Sequence, residues 1–450
     1  MTVTTAPHTA TAHPSTGLAG SLAVPGDKSI SHRALMIAAL AVGETTIHGL
    51  LEGADVLATA DALRQLGVTI EKAADGSWRV TGVGVGGLNT PDRPIDFGNS
   101  GTGTRLMMGL LASHPVSASL SGDASLSARP MGRVIEPLEA MGARFHAGTP
   151  GHLPLDLDGA RSPLPVRYRV PVPSAQVKSA ILLATLNTPG ATTVIEAAPT
   201  RDHTERMLRN FGARIDIAHE TDGCHITVHG PAELHARDIR VPGDPSSAAF
   251  PLVAALITPG SQVTLDGVLM NPTRTGLITT LREMGADITE TGRRDSGGEQ
   301  IADIEVRSSR LTGVTVPAGR APSMIDEYPA LAVAAAFADG DTVMAGLGEL
   351  RVKETDRLAA IAAGLDVCGV TAEVSGDDLT VSGGRGVPGG GHVAAHMDHR
   401  IAMAFLVLGL GAREPVGCDG ANMIQTSFPG FFDAMGEIGA DITLDGGEHP

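Results

Sequence analysis

The chain is 450 residues long, with 42% hydrophobic residues and 33 Lys plus Arg against 50 Asp plus Glu, a formal charge of −17. That length exceeds what one hydrophobic core usually serves, so two domains are expected. That charge repels nucleic acid and anionic membranes as bulk partners, so any anion site must be local.

The first sixteen residues, "MTVTTAPHTATAHPST", have neither an apolar core nor any Arg, so they read as a loose tail and not as a secretory signal or transit peptide. No apolar run approaches the roughly 18 residues of a membrane span without a polar, Gly or Pro break. Cys224, Cys368 and Cys418 lie far apart and form no C-x-x-C, which fits a reducing cytoplasm and excludes a disulfide scaffold or Cys-based zinc site. Only four of the basic residues are lysines: Lys28, Lys72, Lys178 and Lys353.

The first strong signal is "LAVPGDKSISHRALMIAAL", residues 22–40. It crowds Lys28, Ser29, His32 and Arg33 against the start of an apolar helix. Like charges are unfavourable at a helix N-terminus unless an anion comes to sit there. The string is not a P-loop, because Asp27 breaks the required Gly-Lys-Ser.

Further along, the ending "LRQLGVTIE" (63–71) recurs as "LEAMGARFH", "LRNFGARID", "LREMGADIT", "LDVCGVTAE" and "MGEIGADIT". Before each ending lies an almost wholly apolar run: "RALMIAAL", "TRLMMGLLA", "VKSAILLATL", "SAAFPLVAALI", "PALAVAAAFA" and "RIAMAFLVLGL". Each unit reads as strand, buried helix, strand, amphipathic helix, then one or two strands. Helices apolar all round must be surrounded by protein, while alternating strands turn one face to water. Six such units in two lobes of three place helices inside and sheets outside, with the chain crossing between lobes near 23–27 and 240–244.

The buried helices begin with "GDKSISHR", "GNSGTG", "VPSAQVK", "PGDPSSA", "SMIDEY" and "MDHR". If equivalent starts from both lobes face one cleft, their N–H groups and positive dipole ends converge on it. Capping accounts for the Gly, Ser and Asp. It does not account for Lys28, Arg33, Lys178 and Arg400. His396 and His399 have metal-like i, i+3 spacing, but no partner set is evident, so packing or hydrogen bonding is the reading for His396 and orientation of Arg400 that for His399.

From about Gly17 to Gly439 these strings resemble the 5-enolpyruvylshikimate-3-phosphate synthase family, through "PGDKSISHRA", "DFGNSGTGTRL", "SARPMGR", "VPSAQVKSA", "TRDHTE", "SMIDEYP", "LRVKETDRL" and "DHRIAM" in order. The resemblance is closest to the class II branch. It implies a two-lobed inside-out α/β barrel fold of six βαβαββ repeats, with residues 25–242 in one lobe, 1–24 and 243–450 in the other, and the active site in the cleft between them. It implies transfer of the enolpyruvyl group of phosphoenolpyruvate to the 5-hydroxyl of shikimate 3-phosphate, by a cytoplasmic monomer without cofactor or metal. By the same resemblance, Lys28 lies between both substrates, and Ser29 and Arg33 hold the shikimate ring and its carboxylate. Ser174, the Ala175 backbone and Gln176 take its phosphate, with Arg201 assisting. Phosphoenolpyruvate meets Lys28, Arg129, Gln176, Arg357, Arg400 and the Gly101 backbone. Asp326 takes the 5-hydroxyl proton, Glu354 moves the C3 proton, and Lys353 supports the cyclic substrate.

Two departures from the family pattern stand out. Thr426 in "IQTSFP" replaces the Lys that many members carry, so that cation is missing or comes from elsewhere. Gly101 stands where inhibitor-tolerant class II members have Ala, so the branch resemblance does not carry glyphosate tolerance. The sister transferase acting on UDP-N-acetylglucosamine is the nearest rival, but its reactive Cys is absent from "SGDASLSARP". A non-catalytic anion-binding homologue would be expected to lose Asp326 or Glu354, and both are present.

Overall fold

Gly67, Gly142, Gly212, Gly285, Gly369 and Gly439 all have φ between 76° and 105°, and each stands two residues beyond the second helix of a repeat. That backbone region is strained for any residue with a Cβ, and it ends a helix while turning the chain into the next strand. The six sequence endings are therefore one structural event repeated: an amphipathic helix, a glycine stop and a strand.

The computed structural model describes residues 8–384 and 386–445. The six apolar runs form the helices Lys28–Ala39, Gly101–Ala112, Ala175–Thr185, Pro245–Ile257, Tyr328–Ala336 and His399–Gly411. They are buried on nearly all sides; every residue of Pro245–Ile257 and of Tyr328–Ala336 is buried. Small residues let such helices approach closely. A Cβ on Gly109 would stand 2.3 Å from the carbonyl oxygen of Ala180, so the helices carrying them could not pack as they do with any larger residue there.

The described strands form six sheets. In every one an outer strand runs parallel to its neighbour, which is antiparallel to the next. Alternation such as Leu155–Asp158, with both Leu buried and both Asp exposed, turns one face of each sheet to the helices.

Three outer strands are exchanged between repeats. Ala19–Ala23 precedes the Lys28–Ala39 helix but pairs with Gln262–Leu269, while Leu234–His235 and Ile239–Arg240 pair with Ala41–His48. The chain divides accordingly into a middle unit, Gly26–Val241 with Asp295–Glu299, and a terminal unit made of the chain up to Pro25, Pro242–Arg294 and the chain from Gln300 onward.

The expectation of a loose tail is corrected in part. Thr9–Ala12 is a strand lying between Val416–Cys418 and Ile442–Asp445, with Ala10 and Ala12 fully buried. The last repeat brings three strands to its sheet, and this segment supplies the fourth. Residues 1–7 of that expected tail lie outside the described residues. Among the described residues no helix is long and apolar enough to cross a membrane.

Candidate active site

In the middle unit, Asp27 caps the Lys28–Ala39 helix by accepting from the Ile30 N–H at 2.8 Å. Two contacts one helical turn apart then fix its face against the Ala54–Gln65 helix. Lys28 Nζ lies 2.5 Å from Asp55 Oδ2, and His32 Nδ1 is 2.8 Å from Thr59 Oγ1. His32 is fully buried, and that burial, with help from Lys28 and Arg33 against the opposing charge of Asp55, lowers its pKa to about 3. It is neutral at any ordinary pH.

Arg33 is only 2% exposed. Its Nε donates to Thr204 Oγ1 and its Nη2 to Ser179 Oγ, both at 2.7 Å, and its Nη1 to the Ser29 carbonyl at 2.8 Å. The two hydroxyls are themselves 2.7 Å apart.

The Gly101–Ala112 helix is capped by Ser100, and the Ala175–Thr185 helix by Ser174. Gln176 joins them, receiving Arg105 Nη1 at 2.9 Å and donating to Thr102 Oγ1 at 3.0 Å. Arg129 is aimed by Asn99 Oδ1 at 2.6 Å and Ser125 Oγ at 3.2 Å. A Cβ on Gly101 would press on Arg105 Nη1 at 3.2 Å and Arg129 Nη1 at 3.3 Å. Arg201 stands two residues before the His203–Asn210 helix. Lys28, Ser29, Gly101, Arg129, Ser174, Ala175, Gln176 and Arg201 thus sit at or near the starts of helices within the middle unit, and Arg33 lies one turn beyond Ser29, midway along its own.

Lys178 departs from expectation. It is not an anion-facing cation: it is 1% exposed, with Nζ 2.7 Å from Glu196 Oε2 and 2.8 Å from Glu205 Oε1. Burial pushes its pKa down, but the two carboxylates outweigh that and hold it above the usual lysine value. Burial also raises the pKa of Glu205, against the pull of Lys178.

In the terminal unit the chemistry centres on Arg357, first residue of the Arg357–Val367 helix, which Asp356 caps. Arg357 is 1% exposed, and three carboxylates surround it. Asp398 takes Nε at 2.7 Å and Nη2 at 3.3 Å, Glu354 Oε2 lies 2.6 Å from Nη2, and Asp326 Oδ1 lies 3.2 Å from Nη1. Burial disfavours the charge, but Asp398, Glu354 and Asp326 raise the pKa far beyond any relevant range. Lys353 Nζ is 3.4 Å from the same Asp326 oxygen. Arg400 Nη1 donates to the Asp326 carbonyl at 3.4 Å, and the Arg400 N–H to Asp398 Oδ1 at 2.9 Å. Asp326, Lys353, Glu354, Arg357 and Arg400 therefore form one group.

Sequence reasoning missed several partners: Asp55 beneath Lys28, Thr204 and Ser179 on Arg33, Arg105 on Gln176, and Asp398 on Arg357. Asp398 stands in "MDHR", where the sequence shows only a helix start. A second buried cluster was also missed, in which Arg274 Nη2 donates to Asp244 Oδ1 and Ser246 Oγ, each at 2.9 Å, with Glu327 Oε1 at 3.9 Å. His396 does not pack; it is exposed, with φ 51°. Thr426 Oγ1 donates to its own segment, at the Met423 carbonyl, 2.8 Å away.

By distance alone, two groups of described residues have metal-like spacing, Asp202–His203–Glu299 and Glu220–Asp222–His225. In the first, Arg206 Nε already lies 2.8 Å from Asp202 and 3.7 Å from Glu299, so a cation is present.

A profile of EPSP synthase (3-phosphoshikimate 1-carboxyvinyltransferase) matches residues 12–435. The chain belongs to the EPSP synthase family. A 3-phosphoshikimate 1-carboxyvinyltransferase of Parvibaculum lavamentivorans is 62% identical over 434 residues, 96% of each chain. The protein of that name from Rhodospirillum rubrum is 60% identical, covering 96% of this chain and 97% of its own. Among solved structures, an EPSP synthase from Acinetobacter baumannii superposes with a TM-score of 0.87 at 43% identity, over 98% of this chain and 100% of the other. The enolpyruvyl transferase NikO from Streptomyces tendae, 18% identical with a TM-score of 0.76 over 97% and 98% of the two chains, shares the fold. The EPSP synthase match takes in both the Lys28–Arg33–Gln176 group and the Asp326–Arg400 group.

Proposed function

We propose that this chain transfers the enolpyruvyl group of phosphoenolpyruvate to the 5-hydroxyl of shikimate 3-phosphate and releases phosphate. The observation that carries the reading is the grouping of Asp326, Lys353 and Glu354 around the buried Arg357, which sets two carboxyl groups for proton transfer beside cations suited to an anionic substrate. The 5-hydroxyl oxygen attacks C2 of phosphoenolpyruvate and gives its proton to Asp326, while Glu354 delivers a proton to C3. A tetrahedral ketal phosphate results. Glu354 then takes a proton back from C3, the C2–O bond to phosphate breaks, and the enolpyruvyl ether remains.

In this reading Lys28, Ser29, Arg33, Ser174, Ala175, Gln176, Arg201, Asp326 and Lys353 bind shikimate 3-phosphate. Lys28, Gly101, Arg129, Gln176, Arg357 and Arg400 bind phosphoenolpyruvate. Planar guanidinium forks match the carboxylate and phosphate oxygens that the two substrates bring. The reading carries the family's inside-out architecture of six βαβαββ units, helices within and sheets without, and a cytoplasmic monomer acting on two small anions. The net charge of −17 supports the absence of nucleic acid and membrane partners.

Phosphate release from phosphoenolpyruvate tests the proposal. Release is expected with shikimate 3-phosphate, in the presence of EDTA, and not with UDP-N-acetylglucosamine. Release with the UDP-sugar alone would overturn it.

A further inference from the structure

Arg33 is held differently from the other arginines of the candidate site. Its guanidinium is buried, and the Nε and Nη2 donors meet two side-chain hydroxyls, Thr204 and Ser179, at equal distances of 2.7 Å. Those oxygens are 2.7 Å apart and hydrogen-bonded to each other, so they face the guanidinium as a two-oxygen acceptor, much as a carboxylate does. The third hold, Nη1 to the Ser29 carbonyl at 2.8 Å, comes from one turn back on its own helix. Two bonds along one edge fix the roll of a planar group, and a third fixes its reach.

The hydroxyl pair is itself placed by the neighbouring residues. Ser179 follows Lys178 on the Ala175–Thr185 helix, and Thr204 precedes Glu205 on the His203–Asn210 helix. The buried Lys178–Glu205 ion pair at 2.8 Å lies one position along from the Ser179–Thr204 contact and locks the two helices in register. This explains a lysine that serves no ligand directly. The Ser179 contact at 2.7 Å holds the Thr204 hydroxyl where Arg33 Nε meets it.

We propose that Thr204, with Ser179, is a positioning residue that holds the Arg33 guanidinium in the plane from which it meets the carboxylate of the cyclic substrate. The inference rests on the reading of Arg33 as a substrate contact. It goes beyond that reading by assigning substrate affinity to a residue that touches no substrate. Hydroxyls suit the task because they orient the guanidinium without placing a further negative charge beside an anionic ligand.

The test is steady-state kinetics on the full chain carrying Thr204→Val, which keeps the shape and removes the acceptor. A hydrogen bond to a charged group sets the expected scale: KM for shikimate 3-phosphate rises about 10- to 100-fold, while kcat stays within about threefold and KM for phosphoenolpyruvate within about twofold. Thr204→Ser recovers most of the loss, and Thr204→Val adds less than about threefold in an Arg33→Ala background, as expected for one coupled unit. Ser179→Ala, expected to act in the same direction but less strongly, carries the test should Thr204→Val not fold. If Arg33→Ala raises KM for shikimate 3-phosphate and neither Thr204→Val nor Ser179→Ala does, the positioning role is wrong and the site reading stands. Should Thr204→Val raise both KM values equally, it has loosened the unit rather than one arginine, and the inference is also overturned. An Arg33→Ala variant with unchanged KM removes the site reading and the inference together.

Discussion

Arg33, midway along an inner helix, and Arg357, at the start of the second helix of its repeat, are both buried and held by opposite means. Arg33, in the middle unit, donates to two hydroxyls and a carbonyl. Arg357, in the terminal unit, is ringed by Asp398, Glu354 and Asp326. The first arrangement orients a cation and suits binding. The second ties a cation to carboxyl groups that have their own work, so orientation, charge balance and proton transfer are coupled at one residue. Burying a guanidinium requires partners in either case, but ionic partners make the site far more sensitive to the loss of any one.

That contrast can be broken most directly at the anchors. Asp398→Ala removes a fully buried carboxylate that both holds Arg357 and caps the His399–Gly411 helix. It should lower the unfolding free energy by about 3 to 5 kcal/mol, against about 1 kcal/mol for Ser179→Ala. Equal costs in urea unfolding would show that ionic and neutral anchoring are equivalent here.

Glu354→Gln sharpens the comparison from the chemical side, since it preserves size and leaves Asp398 in place on Arg357. Turnover should fall about 10²-fold, the usual scale for a positioned acid–base group, with a smaller loss of stability than Asp398→Ala brings, because Glu354 is partly exposed and Asp398 still holds Arg357. Turnover within threefold of the parent would mean that the terminal unit's carboxylates only hold Arg357.

His32 reports on the middle unit. Its folded pKa, lowered to about 3, lies below the unfolded value near 6.5, so the unfolded chain binds the extra proton. Its contribution is fully present above pH 6.5 and is lost as the pH falls, at about 1.4 kcal/mol per unit until pH 3. The difference between the parent and His32→Gln in chemical unfolding, followed from pH 7 to 4, should show that slope. Parallel curves would mean that His32 is not held neutral by burial beside Lys28 and Arg33.

The smallest effect concerns how the anchors are delivered. Asp398 follows His396 and Met397, whose φ values of 51° and 59° are strained for non-glycine residues, whereas Ser179 and Thr204 ride on helices. Asn tolerates that region better, so Met397→Asn should raise stability by about 1 kcal/mol. A loss of stability on thermal unfolding would show that the Met397 side chain is needed for contacts.

The repeated units were legible in the sequence because each is marked twice, by the apolar run of its first helix and by the glycine that ends its second. Thr9–Ala12 was not: four small residues carry no hydrophobic signature, and their partners are about 400 positions away. The candidate site was legible where a residue type in a local string speaks for itself, as in "VKETDR". Lys178 misled because nothing near it in sequence reveals that Glu196 and Glu205 fold back onto it. Thr204 and Asp398 were seen in their motifs, but their roles depend on which arginine the fold brings to them.

The strand Thr9–Ala12 also bears on how the molecule is made. It leaves the ribosome about 400 residues ahead of the strands it pairs with among the described residues, Val416–Cys418 and Ile442–Asp445. The middle unit draws nearly all its residues from one continuous stretch, Gly26–Val241, and can assemble while synthesis continues. The terminal unit cannot close its last sheet until both of those later strands emerge, one for each edge of Thr9–Ala12, so that strand waits unpaired while the intervening chain is made. Thr and Ala, rather than Val and Ile, are a composition that can wait without sticking, since a weakly apolar strand offers other chains little to pair with.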